Sequence, residues 1–465
     1  MKDNENCDSL MARIAPFMCW IGELKKPETL RADLIAGITV ALVLVPQSMA
    51  YAQLAGLPAY YGLYASFLPG IIAAIFGSSR QLATGPVAVV SLMTASALEP
   101  IAGASPELYV AYAIMLAFMV GVFQMSLGLL RLGVLVNFLS HPVVIGFTNA
   151  AAIIIGTSQL GKLFGVSVEK SEHTYETVYN TIVEAFRSTH LETMLMAILA
   201  LGIMIGLKRY LPKIPNVLTA VAVTTVLSWW VDFESMGGKV VGVVPQGLPP
   251  MGMPTFDFDT MVKLIVVAVA ISIIGFMEAI SIAKAMAART RQRLDANQEL
   301  VGQGLGNIFS SLSSGYAVSG SFSRSAVNIN AGAITGFSAV VTGLVVGVTL
   351  LFLTPLLYHL PQATLASVII MAVINLVKID PIKYAWRVQK HDGAVAIITF
   401  VMTLLWAPHL DKGILVGVLL SLMLFLDRTM KPRVAAPVAY THRTLPTFDF
   451  DTMVKLGGVA IAISI

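Results

Sequence analysis

Long apolar runs alternate with short polar connections along most of the chain, and this pattern predicts about fourteen membrane segments. The first seven are predicted over residues 34–55, 60–77, 85–98, 108–130, 143–160, 191–207 and 215–231. The second seven are predicted over residues 262–287, 297–313, 323–332, 335–356, 362–377, 394–406 and 413–426. The predicted fold class is therefore an all-α polytopic membrane protein.

Two of these segments, the third and the tenth, are too short to cross a bilayer. The third contains roughly 14 residues, or about 21 Å of helix against a hydrocarbon core of about 30 Å. Each follows a small, polar stretch that suits extended backbone, residues 77–84 and 314–322. Irregular backbone is stable at membrane depth only when it is buried in protein or lines a watery cavity. Two interrupted helices at corresponding places in two halves of a chain predict the binding site of a transporter.

The residues at the starts of the two half-helices are suited to helix capping. In the third segment Thr84 or Gly85 can cap the helix, and Pro86 occupies a favoured first-turn position. In the tenth segment the N-cap is predicted to be Ser321 or Ser323. A helix that begins in mid-membrane directs unpaired N–H groups and a partial positive charge into its cavity.

A positive side chain lies at the same place. Arg324 belongs to the first turn of the tenth segment, so its charge adds to that of the helix starts. An ionisable residue within a membrane is costly and indicates function by default. We therefore predict an anion site around Arg324. The alternative is that Arg324 is one partner of a structural ion pair.

The first segment contributes a polar face at mid-membrane depth. Gln47 and Tyr51 are four residues apart and share one side of the helix, which Pro46 bends. An amide and a phenol hydroxyl both suit a small anion, so these two residues are predicted to contact the substrate. The alternative is a helix–helix hydrogen bond made by Gln47.

Glu278 is the predicted coupling residue. It belongs with Gly275 to a small, polar stripe at helical spacing, which is expected to face the bundle interior. Loss of hydration favours the protonated carboxyl there, whereas a nearby arginine favours the charged form. Glu278 is therefore predicted to bind a coupling proton or sodium ion. The alternative is an ion pair with Arg324 or Lys284.

Composition and charge exclude a soluble protein and predict an orientation. The chain is 56% hydrophobic and only 12% charged. Lys and Arg are concentrated in alternate connections, including those that contain Arg80, Arg131, Lys208, Arg289, Arg291 and Lys383. The positive-inside rule then predicts both termini in the cytoplasm. The expected location is the cell (inner) membrane. Because each half has an odd number of segments, the halves form two inverted seven-span repeats.

Five regions are predicted along the chain. They are a cytoplasmic N-terminal segment (1–30), a first seven-span repeat (31–231), an extracytoplasmic loop (232–261), a second seven-span repeat (262–427) and a cytoplasmic tail (428–465). Within the tail, residues 446–465 repeat residues 254–273 with 17 of 20 positions identical. The copy is too short in apolar length to be another span, and an artefact or a recent duplication is the favoured interpretation.

The chain carries no enzyme signature. Its seven histidines are scattered without HxxxH or HExxH spacing, which predicts neither a metal site nor a hydrolytic dyad. The glycine- and serine-rich stretches lack the lysine of a nucleotide-binding loop. We predict no cofactor, no metal and no nucleic-acid partner.

Four motifs resemble the SulP family, also called solute carrier family 26. They are PQSMAYAQLAGLPAYYGLYASFLP at residues 46–69, TGPVA at 84–88, FMEAISIAK at 276–284 and SFSRS at 321–325. The resemblance covers about residues 28–435 and implies fourteen spans in two inverted repeats, divided into core and gate domains. It also implies elevator-type alternating access, a homodimer, and an anion held between the third and tenth helices. The family's usual cytoplasmic STAS domain is expected to be absent.

Carried over by position, the resemblance implies a substrate site that includes Gln47, Tyr51, Pro86, Val87, Ser323 and Arg324. Thr84, Gly85 and Ser325 lie in the same motifs and complete the predicted site. Glu278 matches the acidic position associated with proton coupling in prokaryotic members.

Three functions are consistent with these residues. The first is a proton-coupled carrier of sulfate or a similar anion, because the first-span motif is most similar to that of sulfate permeases. The second is a bicarbonate, chloride or dicarboxylate carrier, exchanger or uncoupled channel on the same fold. The third is a nucleobase permease, which the positive charge of Arg324 disfavours.

Overall fold

The computed structural model describes residues 15–430 except 103–104, 134–140, 169–170, 172, 212–213, 375 and 409. Contacts divide the chain into two compact units, Met1–Leu424 and Phe425–Ile465, and of the second only the end of one helix is described. The repeated tail segment therefore lies outside the described residues.

Helices make up most of the described structure. Those up to the long central loop are α1 Met18–Ile21, α2 Pro27–Leu54, α3 Tyr60–Phe76, α4 Ala88–Ala102, α5 Pro106–Leu129, α6 His141–Ser158, α7 Leu160–Phe164, α8 Thr174–Ser188, α9 Leu191–Tyr210 and α10 Asn216–Trp230. Those after it are α11 Phe258–Thr290, α12 Ala296–Leu312, α13 Phe322–Asn330, α14 Phe337–Val348, α15 Gln362–Ile374, α16 Asp380–Val388, α17 Lys390–Leu405 and α18 Leu410–Met430.

The helices confirm the predicted all-α membrane fold. Each of the predicted segments coincides with a helix, and α14 continues through a π-helical and a 3-10 turn to Leu357. Within the described residues, 6 helices are long and apolar enough to cross a membrane by length and composition. Further apolar helices are shorter, among them α4, α10 and α15. The count of fourteen crossings stays a prediction, as do the five predicted regions.

Two short strands, which the sequence predicted only as extended backbone, precede the half-helices. They are β1 Ala83–Gly85 and β2 Ser319–Ser321, and they pair antiparallel with Thr84 opposite Gly320. The pairing satisfies backbone groups that would otherwise be unpaired at membrane depth. It also brings the starts of α4 and α13, which are far apart in sequence, next to each other.

Glycines allow the helices around the strands to approach closely. A Cβ at Gly304 of α12 would lie 2.5 Å from the backbone nitrogen of Met125, and one at Gly121 of α5 would lie 2.6 Å from that of Ile308. Small residues at facing positions are the usual means of close helix packing in membranes. As a result α12 packs along α5 and α3, and α11 packs on β2. Both half-helices therefore sit within a single bundle.

Candidate functional site

The site lies where the half-helices α4 and α13 begin. The hydroxyl of Ser321 caps α13 by accepting the Arg324 N–H at 3.5 Å, so the first of the two predicted caps is the observed one. The hydroxyl of Ser323 lies 3.3 Å from that of Ser321, and Ser323 itself is exposed. The free N–H groups of this first turn add a partial positive charge to the site.

Arg324 is the most deeply buried charged side chain of the site, with a relative exposure of 0%. Its Nη1 donates to Oε1 of Gln47 at 3.2 Å, whereas Nε and Nη2 have no hydrogen-bond partner among the described residues. The described ion pairs do not include Arg324. The ion pair with Glu278, the alternative to an anion site, is therefore not present among the described residues. A buried guanidinium with unpaired N–H groups is costly unless an anion completes it.

Gly85 gives this guanidinium room against strand β1. A Cβ built at position 85 would lie 3.3 Å from Nη2 of Arg324, which is tighter than an ordinary van der Waals contact. A cavity of about 10 Å³ beside the guanidinium, lined also by Thr84 and Asn328, is just large enough for one water molecule. The unpartnered Oδ1 of Asn328 is an acceptor for such a water.

Gln47 and Tyr51 lie on the face of α2 that meets Arg324. Each is only 5% exposed. The amide of Gln47 accepts from Arg324 of α13, so the helix–helix hydrogen bond named as the alternative is present, and it orients the guanidinium. Tyr51 lies close enough to both Gln47 and Arg324 to interact with them electrostatically. The structure thus brings these three predicted residues together.

The other predicted residues divide between the site and its support. Pro86 and Val87 are buried at the start of α4. The hydroxyl of Ser325 accepts the Ala83 N–H at 2.9 Å, which fastens β1 to the first turn of α13. The hydroxyl of Thr84 accepts from Gln303 of α12 at 2.8 Å. Ser325 and Thr84 therefore make contacts that hold the strands in place.

Glu278 lies on α11 beside strand β2. One turn before it, the carbonyl of Gly275 accepts the Ser319 hydroxyl at 2.6 Å, and a Cβ at Gly320 would lie 3.0 Å from Cα of Ala279. Glu278 is only partly exposed, and within the described residues it has no ion-pair partner, neither Arg324 nor Lys284. Its carboxyl is thus close to the site without forming an ion pair with Arg324.

A polar row on α12 supports both strands, and the sequence interpretation missed it. Glu299, Gln303 and Asn307 recur every four residues and are buried. Oε2 of Glu299 accepts the N–H groups of Ser78 and Ser79 at 3.0 and 2.8 Å, ahead of β1. The polar spacing at positions 299, 303 and 307, within a predicted membrane segment, was the signal that could have identified this row.

Asn307 holds strand β2 as a neighbouring strand would. Its Oδ1 accepts the Val318 N–H at 2.8 Å, and its Nδ2 donates to the Val318 carbonyl at 3.1 Å and to Oε1 of Gln124 at 3.0 Å. Gln124 in turn donates to the carbonyl of Ser272 on α11 at 3.1 Å. Asn307 therefore fixes β2 relative to both α5 and α11.

Replacing Asn307 by Asp should misplace β2, because a carboxylate cannot donate to Val318 or Gln124. Leaving buried acceptors without donors costs about 1–3 kcal/mol each, so we expect a lower melting temperature and about a tenfold weaker anion affinity. Thermal unfolding and radiotracer binding of the purified protein measure the two effects. Asn180→Asp, the same change on the exposed face of α8, is the control. Unchanged affinity in a folded Asn307→Asp variant would contradict the positioning role.

The fold and this site define an anion transporter embedded in the membrane. Two half-helices start side by side within one bundle, and a buried arginine lies between their starts. The chain belongs to the sulfate permease family, which it matches over residues 30–399. This membership agrees with the absence of any enzyme signature in the sequence.

Relatives and solved structures agree with this assignment. The chain is 42% identical to "Sulfate transporter 4.1, chloroplastic" of Arabidopsis thaliana, covering 96% of this chain and 68% of that protein. It is 33% identical to "Sodium-independent sulfate anion transporter" of Bos taurus, covering 91% and 74% respectively.

Two solved structures share the fold. Murine Slc26a9, an anion transporter in the inward-facing state, superposes with a TM-score of 0.81 at 26% identity, covering 92% of this chain and 74% of that one. The transmembrane domain of the cyanobacterial bicarbonate transporter BicA gives a TM-score of 0.70 at 24% identity, covering 84% and 97%. At 24% identity, the similarity to BicA shows a shared fold and nothing further.

Proposed function

We propose that this protein is a secondary transporter of sulfate or a similar small anion. The observation that carries the proposal is the guanidinium of Arg324, which is fully buried beside two helix starts and has no carboxylate partner within the described residues. Such a charge needs an anion to complete it. The names of the relatives at 42% and 33% identity favour sulfate as that anion.

The geometry favours a site made by Gln47, Tyr51, Ser323 and Arg324 around the anion. Two nitrogens of the guanidinium, Nε and Nη2, have no hydrogen-bond partner among the described residues, and a planar donor set suits oxyanions. The exposed Ser323 hydroxyl and the first-turn N–H groups of α13 complete the donor set. Pro86 and Val87, directly before α4, are proposed to line it, while Thr84, Gly85 and Ser325 keep the strands and the guanidinium in place.

Glu278 is the proposed carrier of a coupling proton. Two other buried carboxyls near the bundle are held by several donors. Asp33 accepts from Ile334 N, Thr335 N and the Thr335 hydroxyl, and Glu299 accepts from the Ser78 and Ser79 N–H groups. Glu278 lacks such donors in the described structure and lies beside β2, so its charge is the least compensated of the three.

The proposed mechanism is alternating access of the elevator type, with both termini in the cytoplasm. The paired strands join α4 and α13 within the bundle formed with α5, α11 and α12. An anion bound at the strands would then move together with that bundle past the remaining helices. Rigid-body movement of one bundle around a fixed site is a common arrangement in secondary carriers.

A tracer panel in proteoliposomes tests the proposed function. We expect saturable uptake of labelled sulfate that an inward proton gradient accelerates several-fold, with bicarbonate, chloride and fumarate measured alongside. Excess unlabelled sulfate should compete and uracil should not. The proposal would be rejected if none of the labelled anions were taken up, or if uracil were the only compound that competed with uptake. Sulfate uptake without a response to the gradient would reject coupling alone.

A further inference from the structure

We propose that Lys378 is a second anion-binding residue, placed at the cytoplasmic mouth of the Arg324 site, where it receives the anion between the site and the cytoplasm. The inference rests on the proposed function, including its orientation. Lys378 lies in the connection between α15 and α16, and the sequence interpretation gave it no role beyond its contribution to the positive-inside pattern.

The side chain of Lys378 reaches the start of the half-helix α13. Its Nζ lies 5.4 Å from the centre of the Phe322 ring. Phe322 is the first residue of α13, directly before Ser323 and Arg324, and its side chain is 55% exposed. The ammonium group therefore lies over the same helix start that the anion is proposed to occupy.

The backbone of Lys378 is held in place by helix α6. Oδ1 of Asn149 on α6 accepts the Lys378 N–H at 2.7 Å, and Nδ2 of Asn149 donates to the Lys378 carbonyl at 3.1 Å. This two-point contact fixes where the side chain begins, while the side chain itself is exposed and has room to turn. A fixed backbone and a mobile, charged side-chain end suit a residue that binds the anion transiently between the site and the cytoplasm.

The ammonium group has only a weak contact to give up. Among the described residues it has no ion-pair partner, and a cation over an exposed ring is held less strongly than a cation facing a full negative charge. A lysine ammonium is a compact donor of three hydrogen bonds and readily binds oxyanions as a point charge. An anion leaving Arg324 would therefore draw the ammonium away from the ring.

The exposure of the residues shows which end of the site Lys378 serves. Phe322 and Ser323 are exposed, whereas Arg324 and the residues that face it, Gln47 and Tyr51, are buried. Lys378 thus lies at the open end. In the proposed orientation this end faces the cytoplasm, because the connection after α15 belongs to the positively charged side.

The test uses the full-length protein, reconstituted and separated by orientation through capture of a C-terminal tag. Lys378→Gln should raise the half-saturation concentration for sulfate on the cytoplasmic side about fivefold, with maximal rate within about twofold of wild type and no change on the opposite side. Lys378→Arg should keep the half-saturation concentration near that of wild type. Lys383→Gln, which removes another exposed cation of the same face, should have no effect. Raising the ionic strength should shrink the Lys378→Gln effect, because salt screens exposed charges.

Equal half-saturation concentrations in wild type and Lys378→Gln would overturn the proposal. So would a change that affects only the maximal rate, since that would make the ring contact a conformational latch. An equal rise of the half-saturation concentration in Lys383→Gln would also overturn it, because the effect would then come from the general surface charge rather than from a site at Lys378. Equilibrium binding of labelled sulfate to detergent-solubilised protein keeps the two proposals separate. Binding that weakens with Lys378→Gln supports this site even without transport, and unaffected binding rejects it.

Discussion

Replacing Arg324 by Gln is expected to raise the half-saturation concentration for the transported anion about 30-fold or more. Removing one partner of a buried, hydrogen-bonded charge pair costs about 2–5 kcal/mol, and about 1.4 kcal/mol corresponds to a factor of ten. Glutamine retains a donor and much of the volume, so the buried position stays filled. Radiotracer binding to the purified, folded variant measures the loss, and unchanged affinity would show that the charge does not contribute.

Two further variants separate the charge from its geometry. Arg324→Lys keeps the charge but loses the planar donor set, so an intermediate affinity is expected. Gln47→Glu is nearly isosteric and places a carboxylate where Oε1 now lies 3.2 Å from Nη1 of Arg324. That carboxylate would form an ion pair with the guanidinium in place of the substrate. Anion affinity should therefore fall about as far as in Arg324→Gln. Full affinity in Gln47→Glu would indicate that the anion binds elsewhere.

Glu278→Gln is expected to abolish anion accumulation driven by a pH gradient while leaving the protein folded. The amide cannot exchange a proton, yet it preserves size and polarity at a position that has no ion-pair partner within the described residues. Downhill exchange of labelled for unlabelled anion should persist. The measurement is the ratio of internal to external sulfate at steady state, with and without an imposed gradient.

The matched control for this variant is Glu23→Gln. Glu23 forms an ion pair with Arg80 at 2.8 Å in which both side chains remain partly exposed, and such a pair contributes little to stability. Its loss should leave gradient-driven accumulation as in wild type. If Glu278→Gln still accumulated sulfate to the wild-type ratio, the coupling role of Glu278 would be refuted and a different group would have to carry the proton.

The helices and the key cation of the site were predictable because their signals are local. Apolar length defines the membrane segments, and the short third and tenth segments stood out by the same measure. Arg324 was conspicuous as a charge at membrane depth. The sulfate permease family was also identifiable from four short motifs, of which residues 46–69 form the longest. The specific anion and the coupling ion are not encoded in such local patterns.

Contacts between distant parts of the chain could not be predicted in this way. The bond from Gln303 to Thr84 joins residues 219 apart, and that from Ala83 to Ser325 joins residues 242 apart. The contacts of the Thr84 and Ser325 hydroxyls with the scaffold could not be predicted from local sequence, and the assignment of these two residues to the substrate site stays a prediction. The ion pair between Glu278 and Arg324, which was the alternative to the coupling role, is absent from the described residues. Sequence spacing could not decide this, because spacing on separate helices does not fix a distance.

The register of the strand pair has a consequence for how the sequence can change over time. Each strand is three residues long, and Ala83, Thr84 and Gly85 face Ser321, Gly320 and Ser319 one to one. Adding or deleting a single residue in either strand would turn every following side chain to the opposite face and carry Gly85 away from the guanidinium. Surface connections can vary in length, whereas the lengths of β1 and β2 depend on each other. An insertion in one strand could be tolerated only with a compensating change in the other.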